Sequence, residues 1–392
     1  MPKRRSKSSA NPKAKQPKSA RKGLLERLAE GPVIGDGSFL LVLERRGYVK
    51  AGCWTPEAVV EHPEAVAQLH REYARAGADV SQSFTFYASE DKLNFRGNQA
   101  AKKYGVDKIN EAACSIAKGV ADEYGTLLTA SLSPTPSYLE GKGKDAVQAE
   151  FKVQTEIFKK YDVDFFLVEF FPHLEETLWA IEVCKEYGKP VVASMRIGPD
   201  GDEGGNSPGK CAVEMAKAGA DVVGQNCHFD YTTSLKTIEL MKAELEKEGL
   251  SPYLMMQPPG YHVPDAKKGG MPELPEYPFA IEPRLLTRWD AQDFARKAYD
   301  LGVRYLGGCC GMEPYHIRGV AEELSPERGG RLGEASEKHG MWGASLKQSG
   351  MYASYDQKVG KDYWMKPPST GRPYSAALSV PFCGGYAHGD EK

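Results

Sequence analysis

The sequence lacks any apolar run that approaches the roughly 20 residues of a membrane-spanning helix. Its first 22 residues lack acidic side chains and any hydrophobic residue larger than Met1, yet they hold nine Lys or Arg. No apolar segment follows them, so we expect no secretory signal. Removing nine positive charges from the net charge of −2 leaves −11 for the remaining residues. The chain is therefore predicted to be an acidic globular protein with a basic N-terminal tail.

This tail, residues 1–22, cannot bury enough apolar surface to offset the cost of ordering, and we predict that it is disordered. Three functions fit its composition. It is a solubilising leader, a nuclear signal carried by "KRRSK", or a segment loosely attracted to polyanions. Composition alone does not choose among them.

Cysteine is used sparingly for a chain of 392 residues, which is too long for a disulfide-stapled small fold. Three of the eight cysteines, Cys114, Cys184 and Cys211, lie on apolar faces of predicted helices and are expected in the core. Without an export signal, a reducing cytoplasmic setting is expected. Thiols that stay reduced are available to bind metals.

Short apolar runs alternate with longer amphipathic stretches from residue 31 onward. The predicted strands are Val33–Leu40, Ala78–Phe84, Leu127–Leu132, Val163–Phe170, Pro190–Met195, Asp221–Cys227, Tyr253–Gln257 and Val303–Gly307. Between them, "HPEAVAQLHREYARAG" predicts a helix that begins at Pro63 and stops at Gly77. "TSLKTIELMKAELEKEG" predicts another, with a Thr cap and a stop at Gly249.

Eight strand–helix units favour a closed (β/α)8 barrel, the TIM barrel, over an open doubly wound sheet. No G-x-G-x-x-G follows the first predicted strand, which argues against dinucleotide binding. We predict a barrel over residues 23–326. Residues 327–392 are rich in Gly, Ser, Tyr and Lys, and we interpret them as an extended C-terminal arm that packs on a partner subunit or folds back on its own barrel.

In a barrel of this kind the reactive residues follow the carboxyl ends of the strands. The candidates there are Asp36 and Gly37 after the first strand, Phe86 and Tyr87 after the second, Glu169 and Phe170 at the fourth, Cys227 at the sixth, and Cys309 and Cys310 at the eighth. Three cysteines from two strands thus converge on one end of the barrel.

Three thiolates with an open fourth position are typical of a catalytic zinc site. Glycines at 307, 308 and 311 are expected to let the backbone turn so that Cys309 and Cys310 reach one ion. His228, next to Cys227, is a rival ligand. Soft thiolate ligands suit a substrate thiol, and a thiolate is a nucleophile, so the pattern indicates alkyl transfer to sulfur.

Aromatic residues near the strand ends suggest what the alkyl donor is. Trp54, Phe86, Tyr87 and Phe170 could form a cage for a quaternary ammonium or sulfonium group through cation–π attraction. Ordinary packing is the alternative explanation for aromatics at such positions.

Long blocks of the chain resemble the betaine–homocysteine branch of the zinc-dependent homocysteine methyltransferase family. "GGCCG" with an upstream "NC" is similar to the wider family, and "WTPEAVVEHPEAVAQLHRE", "FTFYASEDKL", "EPRLLTRWD", "GVRYLGGCCGMEPYHIR" and "EKHGMWG" are similar to the betaine branch. The resemblance runs from about Leu24 to about Tyr374.

The resemblance implies zinc bound by Cys227, Cys309 and Cys310, with homocysteine sulfur at the open position. It also implies methyl transfer from betaine that yields dimethylglycine and methionine. Glu169 matches the residue that holds the homocysteine amino group, and Asp36 lies with Gly37 in the substrate-binding "GDG" turn; these two carboxylates are the candidate catalytic residues. Trp54 and Tyr87 match the betaine pocket, Phe170 stands where a family residue lines that pocket, and the arm is similar to the family's dimerisation element.

Two departures from the family pattern leave alternatives open. Phe170 stands where the family has Tyr, and Gln225 replaces an apolar residue, so the donor is betaine or a sulfonium such as S-methylmethionine or dimethylsulfoniopropionate. The family's long charged C-terminal helix is not found before the chain ends at "GYAHGDEK". A homodimer is expected and a homotetramer is not assured. No membrane and no specific nucleic acid is expected as a partner, although a non-catalytic metal- or polyanion-binding protein is a minor alternative.

Overall fold

The computed structural model describes residues 21–49, 56–95, 98–278 and 280–338. Trp54, almost all of the predicted N-terminal tail and the arm beyond residue 338 lie outside the described residues. The boundaries that we predict for the tail and the arm therefore stay predictions.

Eight parallel strands form one sheet with the order β1-β8-β7-β6-β5-β4-β3-β2. Their bounds are β1 Val33–Ile34, β2 Val80–Gln82, β3 Leu127–Leu132, β4 Phe165–Phe171, β5 Val191–Met195, β6 Val222–Asn226, β7 Tyr253–Gln257 and β8 Val303–Leu306. Each pairs with the next strand along the chain from β2 to β8, and β8 pairs with β1. This order confirms the predicted (β/α)8 barrel.

The gap between β1 and β2 is bridged by Asp79, which directly precedes β2. Its amide donates to the carbonyl of Ile34 over 2.7 Å, and its Oδ2 accepts from the amide of Ile34 over 2.9 Å. A carboxylate therefore replaces a ladder hydrogen bond, and the barrel closes although β1 has only two residues.

The predicted extent of the first strand was wrong. β1 ends at Ile34, and Leu40–Arg45 forms a helix that buries Val42 and Leu43. A short apolar run such as "FLLVL" fits a buried strand or a buried helix equally well, so its periodicity could not decide between them.

Fourteen α-helices occur in the described residues. They are α1 Leu24–Glu30, α2 Leu40–Arg45, α3 Ala58–Glu61, α4 Pro63–Ala76, α5 Glu90–Leu93, α6 Ala100–Tyr104, α7 Val106–Tyr124, α8 Pro136–Leu139, α9 Lys144–Lys160, α10 Leu174–Lys185, α11 Pro208–Lys217, α12 Tyr231–Lys247, α13 Arg288–Leu301 and α14 Pro314–Glu323. Short 3-10 helices cover Met271–Glu273, Glu282–Arg284, Pro326–Arg328 and Glu334–Lys338.

The ends of two helices test the predicted signals. Helix α4 begins at Pro63 and ends at Ala76, where Gly77 stops it with φ 113°, as predicted. Helix α12 does not have the predicted Thr cap: Asp230 caps it, accepting from the amide of Thr233 over 2.9 Å. Asp and Thr both cap well, and here the helix is capped three residues earlier than the motif suggested, at Asp230 instead of Thr233.

The hydrophobic core has two layers. Side chains inside the barrel form one cluster that includes Leu127, Phe165, Val192, Val222 and Tyr305. Leu24 and Leu28 of α1 join this cluster and cover the amino-terminal end of the barrel. A larger cluster fills the space between the strands and the outer helices and includes the buried thiols of Cys114, Cys184 and Cys211, as predicted. No helix in the described ranges is long and apolar enough to cross a membrane.

Candidate active site and metal centre

The carboxyl ends of the strands surround a cavity of about 370 Å³. Of the residues that the sequence predicts for a site, eight line its wall: Gly37, Phe86, Tyr87, Glu169, Phe170, Cys227, Cys309 and Cys310. The structure therefore brings together residues at the carboxyl ends of five strands, β1, β2, β4, β6 and β8. Asp36 lies just behind the wall, and Trp54 is outside the described residues.

The three predicted cysteines form the one cluster of potential metal ligands found among the described residues. The Sγ atoms of Cys227, Cys309 and Cys310 all lie within 4.8 Å of one another, and those of Cys227 and Cys310 are 3.4 Å apart. Cys227 is fully buried, and the two neighbouring cysteines are partly exposed to the cavity. Zinc–sulfur bonds of about 2.3 Å fit three thiolates at this spacing.

Backbone hydrogen bonds fix these cysteines on the ends of β6 and β8. The amide of Cys227 donates to the carbonyl of Gln257 over 2.9 Å, and the amide of Cys309 donates to that of Pro258 over 3.0 Å. The carbonyl of Cys310 accepts from the amide of Gly260 over 2.8 Å. Both halves of the cluster are thus anchored to the segment that β7 leads into.

The glycines beside Cys309 and Cys310 serve two different needs. Gly311 adopts φ 79°, a turn that other residues rarely make. At Gly308 the requirement is space, because a Cβ would lie 2.3 Å from the Cβ of Met312. The predicted hinge is therefore one left-handed turn together with a close approach of two segments.

The thiols share their protons unequally. Burial opposes ionisation of Cys227, but hydrogen bonds with Cys309 and Cys310 hold its pKa well below the usual thiol range. Hydrogen bonding to Cys227 in turn raises the pKa of both Cys309 and Cys310 well above that range. One buried thiolate supported by two thiols is an arrangement that a divalent cation would complete by displacing the remaining protons.

His228, the rival ligand, does not belong to the cluster of potential ligands in the described chain. Its Nδ1 lies 3.0 Å from the carbonyl oxygen of Gly269, and its ring meets Phe170 edge-on at 5.1 Å. His228 therefore packs in the cavity wall, and the three-thiol assignment is the one that the geometry supports.

Two buried carboxylates lie beside the thiols and converge on Gln82 at the end of β2. The amide of Gln82 donates to Asp36 Oδ2 over 3.0 Å, and its side-chain Nε2 donates to Glu169 Oε1 over 2.6 Å. Burial raises the pKa of Glu169 to about 7. Burial, with the nearby charge of Glu169, raises the pKa of Asp36 well above its usual range. This pair would be stabilised by a cationic group in the cavity.

Aromatic rings form another part of the cavity wall. The ring centroids of Phe86 and Tyr87 are 4.1 Å apart, and Phe170 stands edge-on to both, at 5.4 Å and 6.3 Å. The Nζ of Lys92 lies 3.9 Å from the Tyr87 ring centroid. Three of the four predicted cage residues thus meet in one place, and a Lys ammonium already rests on one of these rings.

Backbone strain is concentrated at this end of the barrel. Tyr87, Phe170, Cys227 and His228 have φ between 58° and 70°, and all four line the cavity. Non-glycine residues with such backbone φ angles cost about 1–3 kcal/mol each and persist where the surrounding structure holds them. The amide of Phe170, for example, is held by Asn226 Oδ1 at 2.9 Å.

Sequence reasoning missed two polar residues of the site, Gln82 and Arg196, and noted Gln225 only as a departure from the family pattern. Gln82 joins the two carboxylates, and buried Gln225 donates to the carbonyl of Cys227 over 2.6 Å. Arg196 lines the cavity directly after β5. The rule that reactive residues follow strands would have found Arg196, whereas the role of Gln82 depends on its neighbours from other strands.

The fold and the site define a (β/α)8 barrel that presents three thiols, two buried carboxylates and an aromatic wall at its carboxyl-terminal end. The model of the family described as Homocysteine S-methyltransferase matches residues 33–324. The chain belongs to this family.

Relatives from vertebrates are similar over almost the whole chain. Betaine–homocysteine S-methyltransferase 1 of Xenopus laevis is 56% identical over 95% of this chain and 93% of its own length. The Mus musculus protein of that name is 56% identical over 95% of this chain and 91% of its length. S-methylmethionine–homocysteine S-methyltransferase BHMT2 of Mus musculus is 50% identical over 92% of this chain and 97% of its length.

Among solved structures, the metallated form of the homocysteine methyltransferase MmuM from Escherichia coli is similar in fold. The TM-score is 0.57 at 18% identity, over 74% of this chain and 95% of that chain. At this identity the likeness supports the barrel architecture and nothing finer.

Proposed function

We propose that this protein transfers a methyl group from glycine betaine to the thiol of L-homocysteine, giving dimethylglycine and L-methionine. The observation that carries the proposal is the meeting, in one cavity, of the Cys227–Cys309–Cys310 cluster, the Asp36–Glu169 pair and the aromatic wall. Relatives that bear the name of this activity at 56% identity support it.

Zinc is the metal that we assign to the three cysteines. Three soft thiolates leave one position open, and zinc bound there would lower the pKa of a substrate thiol and hold it as the thiolate. The protein contributes a buried, preorganised donor set: Cys227 is already poised to ionise, and its backbone is fixed by hydrogen bonds with Gln225 and Gln257.

Homocysteine is a zwitterion, and its ammonium group fits the two carboxylates beside the thiols. We assign Glu169 to bind this ammonium. Asp36 positions Gln82 by accepting from its backbone amide, and the side chain of Gln82 in turn positions Glu169. A bound ammonium would offset the charge that burial makes costly for both acids.

The aromatic wall would receive the donor's onium group, since the faces of Phe86, Tyr87 and Phe170 attract cations. In the reaction the bond between the betaine nitrogen and one methyl carbon breaks as the sulfur–carbon bond forms. The electron pair stays on nitrogen, so the quaternary ammonium group of betaine becomes the neutral tertiary amine of dimethylglycine, which keeps its carboxylate. The wall therefore holds the donor before transfer and favours product release after it.

A sulfonium donor is the second candidate, because Phe170 lacks the hydroxyl of the family Tyr and its ring face attracts a sulfonium cation as it attracts an ammonium. The Mus musculus relative named for S-methylmethionine, at 50% identity, supports this alternative. S-methylmethionine and dimethylsulfoniopropionate are the sulfonium donors to compare.

The experiment is a donor panel. Purified protein is incubated with homocysteine and equal concentrations of glycine betaine, S-methylmethionine or dimethylsulfoniopropionate, and methionine is quantified with and without prior chelation of zinc. We expect betaine to give the fastest zinc-dependent methionine formation. Faster transfer from a sulfonium would select the second candidate, and full activity in zinc-free protein would remove the metal from the proposal.

We further propose that residues 23–326 act as the catalytic barrel and that residues 327–392 form an oligomerisation arm in a homodimer or homotetramer in the cytoplasm. The packing of Gly333 against the backbone of Ala76 and Gly77 supports an arm that begins on the barrel surface. Size-exclusion chromatography with light scattering, compared with a chain truncated after residue 338, tests the arm.

A further inference from the structure

Arg196 brings a permanent positive charge into a cavity that is otherwise suited to a cation. We propose that Arg196 binds the carboxylate of the methyl donor, so that the site selects zwitterionic onium compounds over onium ions without a carboxylate. The inference rests on the proposed function, because it concerns the same donor pocket.

Arg196 directly follows β5 and lines the cavity together with Phe86, Tyr87 and Phe170. Its guanidinium carbon lies 5.4 Å from the centroid of the Phe170 ring, and its side chain is 22% exposed. The charged group is therefore at the aromatic wall and still reachable from the cavity.

The carboxylate of Glu203 holds the guanidinium of Arg196 in place. Its Nη2 donates to Glu203 Oε1 over 2.6 Å, and the other carboxylate oxygen of Glu203 lies 3.5 Å from His173 Nε2. The backbones of both partners are tied to the end of β4: the amide of Arg196 donates to the carbonyl of Phe171 over 3.1 Å, and that of Glu203 to Pro172 over 3.0 Å. Such an anchor preorganises the side chain.

One Nη2 hydrogen bond to Glu203 leaves much of the planar fork for a second acceptor. Arginine has five N–H donors whose geometry matches a carboxylate. Glu203 contacts both Arg196 and His173 and is 52% exposed, so this ion pair orients Arg196 without burying its charge. Arg196 is thus suited to receive a ligand carboxylate at the rim of the aromatic wall.

Charge decides what this arrangement selects. Burial raises the pKa of Tyr87, and the positive charge of Arg196 opposes that rise, which places the field of the guanidinium at the aromatic wall. A bare onium ion would feel repulsion from Arg196 that partly offsets its cation–π attraction. A zwitterion such as betaine, with its carboxylate one methylene from the nitrogen, converts this repulsion into attraction.

The test is Arg196→Met in the full-length, zinc-loaded protein, because Met keeps an apolar stem against Phe170 and removes the charge. Two quantities are measured: the KM for glycine betaine, and the inhibition constant of tetramethylammonium, which has the onium group without the carboxylate. Losing hydrogen bonds between charged groups should raise the KM for betaine about tenfold to a hundredfold, with kcat changed less than about threefold. Tetramethylammonium should inhibit the variant as well as or better than the wild type.

Arg71→Met is the matched control, because Arg71 makes an exposed ion pair with Glu123 on the outer helices. It should leave both constants unchanged. Glu203→Gln, which loosens the anchor, should raise the KM for betaine by a smaller factor than Arg196→Met does.

Two results would overturn the inference. The first is an unchanged KM for betaine in Arg196→Met. The second is an equal loss of affinity for betaine and for tetramethylammonium, because Arg196 would then be only a packing residue of the wall. Calorimetric titration of betaine into both proteins without homocysteine separates this inference from the proposed function. If the wild type binds betaine but forms no methionine, the proposed reaction fails while the titration still decides the role of Arg196. If the wild type does not bind betaine, both fail.

Discussion

Asp36 and Asp79 are buried carboxylates at opposite ends of the same barrel. Asp36 lies shortly after the carboxyl end of β1, and Asp79 directly precedes β2. Asp79 accepts from the amide of Ile34 and is paired with Arg328 at 3.0 Å and Arg331 at 2.6 Å. Asp36 accepts from the amide of Gln82 and faces Glu169, and in the described chain no ion pair involves it. At the amino-terminal end, arginines of the protein neutralise the charge of Asp79. At the carboxyl-terminal end, a cationic ligand would be needed to neutralise that of Asp36.

Backbone geometry shows the same division. Four of the five non-glycine residues with positive φ in the described chain line the cavity, and the fifth, Asp162, lies in a turn at the other end. Strain and incompletely matched charge both cost stability, so they persist where a function requires them. The comparison teaches that one end of this barrel is built for stability and the other for binding.

The largest expected effect comes from the thiol cluster. Cys310→Ala should abolish zinc retention, as should the same change at Cys227 or Cys309, because two thiolates cannot replace three. Activity should fall more than about a hundredfold, since even residues behind the ligands of a metal site cost 10–100-fold when removed. Elemental analysis should find no zinc in these variants and about one zinc per chain in Cys184→Ala, a core thiol on α10. One zinc per chain in a cluster variant would contradict the three-ligand assignment.

The next effect separates the two aspartates directly. Asp36→Asn should raise the KM for homocysteine about tenfold to a hundredfold, because the charge-assisted hydrogen bond from the Gln82 amide that helps to position Glu169 is lost. Its free energy of unfolding should change by less than about 1 kcal/mol, since a costly buried charge is removed along with a hydrogen-bond acceptor.

The matched variant is Asp79→Asn, which removes one partner of the buried pair with Arg328, whose side chain is 2% exposed. Breaking such a pair costs about 3–5 kcal/mol. Chemical denaturation should therefore find this variant clearly less stable, with an unchanged KM for homocysteine in the fraction that stays folded. If Asp36→Asn proved the more destabilising of the two, the division between a structural and a binding end would be wrong.

The pH dependence of homocysteine capture gives a smaller and graded effect. The raised pKa of Glu169, about 7, means that this carboxyl is protonated below that pH and cannot bind an ammonium as a carboxylate. We expect kcat/KM for homocysteine to fall about tenfold per pH unit below 7 and to level off above it. Glu169→Gln should lower the plateau and remove this acidic limb. An unchanged limb in the variant would assign it to another group.

Much of the barrel could be predicted from the sequence because short apolar runs and helix ends carry local signals. Pro63 and Gly77 mark both ends of α4, and seven predicted strands overlap observed ones closely. β1 was predicted too long because "FLLVL" is apolar throughout, and its two-residue length depends on Asp79, which reaches it from the next strand.

The candidate site divides in the same way. Cys227, Cys309 and Cys310 could be predicted because they lie within four residues after the ends of β6 and β8, and parallel strands end at one face. Gln82 and Gln225 carry no comparable signal, since their importance comes from contacts with Glu169 and Cys227 on other strands. Arg196 had the signal, whereas its partner Glu203 lies seven residues further on in a loop whose position no sequence pattern predicts.

The smallest expected effect concerns Phe170, which lies at the carboxyl-terminal end of the barrel, where the strained residues are concentrated. Its φ of 70° and the hydrogen bond from its amide to Asn226 fix the ring independently of any hydroxyl, so Phe170→Tyr should add an oxygen without moving the wall. A new hydrogen bond to a donor carboxylate would lower the KM for betaine about threefold to tenfold. Phe86→Tyr is the control, because it adds the same hydroxyl to the neighbouring ring. If only Phe170→Tyr lowers the KM for betaine, while transfer from dimethylsulfoniopropionate stays the same or slows, the missing hydroxyl tunes donor choice. If the KM for betaine is equal in both variants and the wild type, Phe170 is a packing residue of the wall.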